Sequence, residues 1–305
     1  MRQSLLGILL LSSCAAPGPV IPPNAKFELV WADAEFTEGP ALAPDGSIYF
    51  SDIGNRILRF DPKTMQTSVY RDPSGRSNGM KFDAKGRLVV CEGADTGGNR
   101  RISITDPDGK VRTLAEKWEG RRFNSPNDLS IDPKGNVYFT DPRYGKGDPC
   151  EIDFEGVFRV TPDGKVTLAT KDVQKPNGII VSPDGAIAYV ADTNSDPKGN
   201  HQLVAFTIAA DGSFTSKRVL YDFGPDRRPI DGMTLGRDGN IYAAAGSKKN
   251  EDGGLWVFST KGQKLGFLVT PGDPTNVCFA ADGQTLYITA QAGKKWGLYR
   301  VKLPL

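Results

Sequence analysis

Histidine is almost missing from this chain of 305 residues: there is one, His201, in the polar stretch Asp196 to Gln202, where an ordinary surface residue is expected. Cysteine is scarce too, and Cys14, Cys91, Cys150 and Cys278 show no metal-ligand spacing. A zinc site built on nitrogen and sulfur therefore has too few ligands. Neither charge sign is in excess, with 38 basic and 36 acidic side chains and a net charge of +2. No basic tract or basic–aromatic patch is present, so no nucleic-acid partner is expected. The apolar run from Leu5 to Leu11 is far too short to span a bilayer.

Glycine (35) and proline (22) are plentiful, and this punctuation favours many short elements over long helices. Arg2 followed by the Leu5–Leu11 run reads as a signal-peptide core. Leu11-Ser12-Ser13-Cys14 resembles a bacterial lipobox, in which the cysteine is lipidated and becomes the new N-terminus. The expectation is an exported, periplasmic lipoprotein anchored through Cys14. Residues 1–14 form the signal, 15–26 a Pro-rich linker and 27–305 the folded domain. Cys91 and Cys278 lie in apolar strand patterns and are expected as buried free thiols.

One module recurs six times. Its marker is a turn triplet: Pro44-Asp45-Gly46, Ala84-Lys85-Gly86, Pro133-Lys134-Gly135, Pro183-Asp184-Gly185, Arg237-Asp238-Gly239 and Ala281-Asp282-Gly283. An apolar, aromatic-rich run follows each triplet and a shorter one precedes it, the pattern of a tight hairpin. Two further runs follow in most copies. Units of roughly 40 to 55 residues with four strands match propeller blades. The sixth unit has only three strands before the chain ends, and Phe27 to Trp31 would supply the fourth, closing the ring without a free edge. The expected fold is all-β, a six-bladed β-propeller.

Seven residues before the middle of each triplet stand Glu38, Asn78, Asn127, Asn177, Asp231 and Thr275. Each is expected to start the inner strand of its blade, so that all six converge at one mouth of the central channel. The second strands return to that mouth and end in Asp52, Glu92, Asp141 and Asp192 in four blades, giving a second, concentric ring. Two carboxylates (Glu38, Asp231) with several amide oxygens make an all-oxygen site, which selects calcium, magnesium or manganese. Calcium tolerates irregular geometry and neutral amide ligands best, and zinc is the poorer choice.

Glu38-Gly39-Pro40, Arg122-Phe123-Asn124-Ser125-Pro126-Asn127-Asp128, Tyr138-Phe139-Thr140-Asp141-Pro142, Pro176-Asn177-Gly178 and Asp231-Gly232-Met233 together resemble the signatures of the regucalcin/gluconolactonase family, in its bacterial gluconolactonase-like branch. The resemblance runs from about Glu38 to the C-terminus. It implies a metal-dependent hydrolase that opens sugar lactones on one catalytic divalent ion. The implied ligands are Glu38, Asn127, Asn177 and Asp231, with Asp231 also the general base or nucleophile. Bacterial members often carry Asp-Pro-Pro-Tyr-Gly where this chain has Asp141-Pro142-Arg143-Tyr144-Gly145, a cation added at the channel mouth.

The chemistry agrees with the ring. A metal-bound lactone carbonyl is polarised, and a carboxylate beside it can take a proton from water. Arg122, Asn124 and Arg143 are the candidates for holding the small-molecule lactone or ester substrate. Two other readings share these residues: a phosphotriesterase-like hydrolase similar to diisopropyl fluorophosphatase, and a binding propeller without catalysis.

Overall fold

The computed structural model describes residues 19–93, 97–144, 149–194, 196, 198–225 and 227–304. The segment expected as an export signal, with Cys14, lies outside the described residues. Six four-stranded antiparallel sheets form the blades, and each runs from an inner strand at the axis to an outer strand at the rim. The inner strands are Thr37–Leu42, Ser77–Phe82, Leu129–Ile131, Pro176–Val181, Ile230–Leu235 and Pro274–Phe279. Each of them touches the inner strand of the next blade, and the last touches the first, so the ring is closed. Blade 6 consists of Pro274–Phe279, Thr285–Ala292, Lys295–Lys302 and the N-terminal strand Glu28–Ala34. Glu28 and Arg300 pair across that seam at 2.8 and 3.0 Å.

Local chemistry sets the repeat. The aligned turn glycines 46, 86, 135, 185, 239 and 283 all have φ between +68° and +89°, a region in which only glycine is unstrained. In the first turn Asp45 also accepts the Ser47 amide at 2.9 Å. The second strands are mostly buried, Leu88–Glu92 along its whole length, because neighbouring blades cover both faces. Cores lie between blades. Phe50 and Leu58 of blade 1 pack with Tyr287 and Leu298 of blade 6, and Tyr189 and Leu203 of blade 4 with Met233 and Trp256 of blade 5. Each such buried side chain contributes about 1.5–3 kcal/mol.

Some features differ from the sequence reading. Lys117–Trp118 and Arg121–Arg122 form an extra two-stranded hairpin between blades 2 and 3. Val20, Ile21 and Ala25, within the segment expected as a linker, pack partly buried against the core between blades 5 and 6. His201 is not a surface residue. It opens the third strand of blade 4, is buried, and donates from Nδ1 to the Gly224 carbonyl at 2.7 Å. Cys91 and Cys278 are buried free thiols, and burial pushes the Cys278 thiol up to about 12.

Candidate active site

The six ring positions occupy the channel end of the inner strands, and Glu38, Asn78, Asn127, Asn177, Asp231 and Thr275 are all buried. Asn127 precedes the described inner strand of blade 3 by two residues, but its amide still pairs with the Thr140 carbonyl at 2.9 Å. In the other five blades the pairing register slips at or beside the ring residue: between Glu38 and Ala41, Ser77 and Met80, Pro176 and Ile179, Ile230 and Met233, and Pro274 and Asn276. A bulge of this kind re-aims a side chain out of the ladder. Repeated at one height, it accounts for polar residues at the axis where apolar ones would otherwise alternate.

Glycine follows the ring residue in four blades because the next blade stands where a Cβ would be. A Cβ on Gly39 would lie 2.4 Å from the Asn78 carbonyl oxygen, and one on Gly178 would lie 2.6 Å from that of Asp231. Asp128 and Asn276 occupy the same position in blades 3 and 6, and each accepts the next backbone amide at 2.8 Å.

The second ring of acids has a different role from that of a metal ligand. Asp52 Oδ1 accepts the amides of Glu35 and Phe36 at 3.1 and 3.2 Å. Asp141 accepts those of Asn124 and Ser125, both at 2.8 Å, and Asp192 Oδ1 those of Gln174 and Lys175, both at 2.9 Å. The clamped amides stand three and two residues before Glu38, Asn127 and Asn177. These carboxylates therefore fasten the loops that deliver the ring residues. Glu92 instead pairs with Arg71 and Arg101 at 2.8 and 2.7 Å. Burial pushes Asp141 up to about 7, against the pull of its two amide donors and of Arg100. Thr275 closes the ring, donating to the Thr37 carbonyl at 2.8 Å.

Glu38, Asn177 and Asp231 come together. Asn177 Nδ2 donates to Asp231 Oδ1 at 2.7 Å and to the Tyr144 hydroxyl at 2.8 Å. Both amide protons are thereby used, which leaves the amide oxygen of Asn177 for another partner. Asp231 Oδ2 accepts a charge-assisted bond from Arg228 Nη2. Glu38 Oε2 accepts from the Gly39 amide at 2.9 Å and from Asn276 Nδ2 at 3.3 Å. Burial raises Glu38 well above the ordinary carboxylate range, and the charges of Asp231 and Asp128 add to it. Asp231 is raised by burial and held back by Arg228 and the Asn177 amide. Burial, with the Asp231 charge added, also keeps the Tyr144 phenol protonated.

These residues fit a hard divalent cation. Two buried carboxylates repel one another here, and Asn78 Oδ1 is buried without a hydrogen-bond partner. A cation bound by oxygen removes the first penalty and uses neutral amide ligands readily. Among the described residues no group of three or more His, Cys, Asp or Glu side chains is placed to hold a metal, as expected for a site half made of amides.

The residues expected to hold substrate have protein partners of their own. Arg122 donates to the Asn99 carbonyl at 3.0 Å, and its amide to Glu151 at 2.8 Å. Asn124 Nδ2 donates to the Phe154 carbonyl at 2.9 Å, and its Oδ1 is buried without a partner. Arg143 is half-buried, and its amide donates to Glu155 at 3.0 Å. Arg228, which sequence reasoning passed over, does reach the ring through Asp231. Its Nη1 also donates to the Pro274 carbonyl at 2.7 Å and the Gly246 carbonyl at 3.2 Å, tying blade 5 to blade 6. Its signal was position alone, three residues ahead of the ring aspartate.

Residues 36–292 match the family described as SMP-30/gluconolactonase/LRE-like region. A gluconolactonase from Zymomonas mobilis subsp. mobilis is 33% identical over 88% of this chain and 79% of its own. The structure of a gluconolactonase from Xanthomonas campestris superposes with a TM-score of 0.80 at 31% identity, covering 93% of this chain and 91% of that one. A calcium-binding protein, regucalcin, from Agrobacterium tumefaciens shares the fold, with a TM-score of 0.71 at 20% identity over 91% and 93% of the two chains. The chain belongs to the SMP-30/gluconolactonase/LRE-like family.

Proposed function

We propose that the chain hydrolyses sugar lactones, with Glu38, Asn127, Asn177 and Asp231 holding a divalent cation, calcium before magnesium, manganese or zinc, and with Asp231 as general base. The observation that carries this reading is the buried pairing of Asn177 with Asp231 at 2.7 Å, opposed by the charge of Glu38 across the same ring. The likeness to the Zymomonas and Xanthomonas gluconolactonases supports the substrate class. When bound, the cation supplies polarisation of the lactone carbonyl and offsets the negative charge that develops on its oxygen.

The protein's own residues do the rest. Asn177 fixes the Asp231 carboxylate through Oδ1, and Arg228 opposes its protonation through Oδ2. An ionised carboxylate held in this way can take the proton of an attacking water. The clamps from Asp141 and Asp192 hold the loops that carry Asn127 and Asn177, so that the groups are placed before substrate arrives. Turnover of a panel of aldonolactones beside a phosphotriester tests the reading. Hydrolysis of the lactones with little of the phosphotriester is expected. Phosphotriester turnover alone, or binding without turnover, overturns it.

A further inference from the structure

We propose that Tyr144 is a catalytic residue whose hydroxyl donates a hydrogen bond to the lactone oxygen that becomes negative as the ring opens. The inference rests on the lactonase reading above.

Tyr144 reaches the site from blade 3, on the connection that leaves the second strand after Asp141, and its hydroxyl accepts the Asn177 amide of blade 4 at 2.8 Å. The same amide donates to Asp231 at 2.7 Å, so one side chain separates the phenol from the proposed base. A phenol has one proton to give. Among the described residues nothing accepts it, and Tyr144 as a residue is only half-buried. The donor is therefore open to a substrate that enters beside Asp231.

The hydroxyl is also held in place. Lys175 Nζ stands 4.9 Å from the centre of the Tyr144 ring, pairs with Glu155 at 3.0 Å and donates to the Arg143 carbonyl. Glu155 in turn accepts the Arg143 amide at 3.0 Å. Lys175 lies two residues before Asn177, and its own amide is clamped by Asp192 at 2.9 Å. One lysine thus fastens the tyrosine's segment to the segment that carries the Asn177 ligand. Phenylalanine would pack against Lys175 equally well, so packing gives no reason for the hydroxyl. A fixed donor aimed where charge develops acts mainly in the transition state.

The proton balance needs no other group. Water adds to the carbonyl carbon and gives its proton to Asp231. The ring carbon–oxygen bond breaks, and the oxygen that leaves takes that proton back from Asp231. Tyr144 keeps its own proton and shares it only as a hydrogen bond.

The test is Tyr144→Phe in the full chain, with steady-state lactone kinetics at saturating calcium and calcium binding by calorimetry. The expected result is a loss of kcat on the order of 10²-fold, with KM and the calcium Kd each within about threefold of wild type. A kcat within about threefold of wild type overturns the proposal. So does a weaker calcium Kd with kcat restored by excess calcium, since the hydroxyl then only orients Asn177. A wild-type chain that hydrolyses no lactone brings down the lactonase reading and this proposal together. An active wild type with an unimpaired Tyr144→Phe brings down the proposal alone.

Discussion

Asn177 and Asp231, on the inner strands of adjacent blades, are joined by a hydrogen bond of 2.7 Å from Nδ2 to Oδ1. The bond turns the amide nitrogen of Asn177 to Asp231 and leaves the amide oxygen for another partner. It also lets binding and chemistry be separated by substitution. Asp231→Asn keeps one ligating oxygen but cannot take a proton. Its calcium affinity should fall, excess calcium should refill the site, and kcat should stay down by about 10²–10⁴-fold. Asn177→Asp keeps an oxygen ligand and the Asp231 base but replaces the bond from Nδ2 with a second facing carboxylate, so it should lose some activity, though less than Asp231→Asn loses. Near wild-type turnover of Asp231→Asn in excess calcium would show that Asp231 is only a ligand.

Arg228 places a positive charge on Asp231 and so opposes any cation held by the same carboxylate. Arg228→Gln should therefore bind calcium more tightly, on the order of a few-fold, while turning over more slowly because Asp231 has lost its alignment. Calorimetry with kinetics on one preparation reads both. Weaker calcium binding would mean that Arg228 acts only by tying blade 5 to blade 6.

The blade count, the ring closure and the six ring positions are legible in the sequence because each is encoded locally. A turn glycine demands positive φ, an apolar run follows it, and the ring residue stands at constant spacing from both. Contributions that arise from distant segments are not legible. Tyr144 meets Asn177 from 33 residues away. The clamping by Asp52, Asp141 and Asp192 depends on loop amides that carry no side-chain signature. His201, in a polar stretch, is buried by the neighbouring outer strand and the Gly224 carbonyl that follows it. Polarity of the local sequence says nothing about what packs over it.

Gly178 is expected to resist substitution. A Cβ there would meet the Asp231 carbonyl oxygen at 2.6 Å and the Gly232 Cα at 3.1 Å, both backbone atoms of the next blade. Gly178→Ala should destabilise the fold by about 1–3 kcal/mol and weaken calcium binding by moving Asp231. Denaturant unfolding gives the first quantity and calorimetry the second. An unchanged midpoint would show that the blades have room to part.

Asp141 gives the pH dependence of stability a definite sign. Burial raises its folded value to about 7, above the unfolded range, so the folded chain holds the proton more tightly. Its contribution is complete below about pH 4 and is lost as pH rises through about 7. The stability difference between wild type and Asp141→Asn should therefore shift against wild type across that window. A difference constant from pH 4 to 8 would mean that the two amide donors outweigh burial.

The most direct measurement is lactone hydrolysis by the chain stripped of metal with a chelator and then titrated with calcium. Turnover should fall to a small fraction of its starting value and return as about one equivalent of calcium binds. Full turnover by the metal-free chain would contradict both the cation site at Glu38, Asn127, Asn177 and Asp231 and the chemistry drawn from it.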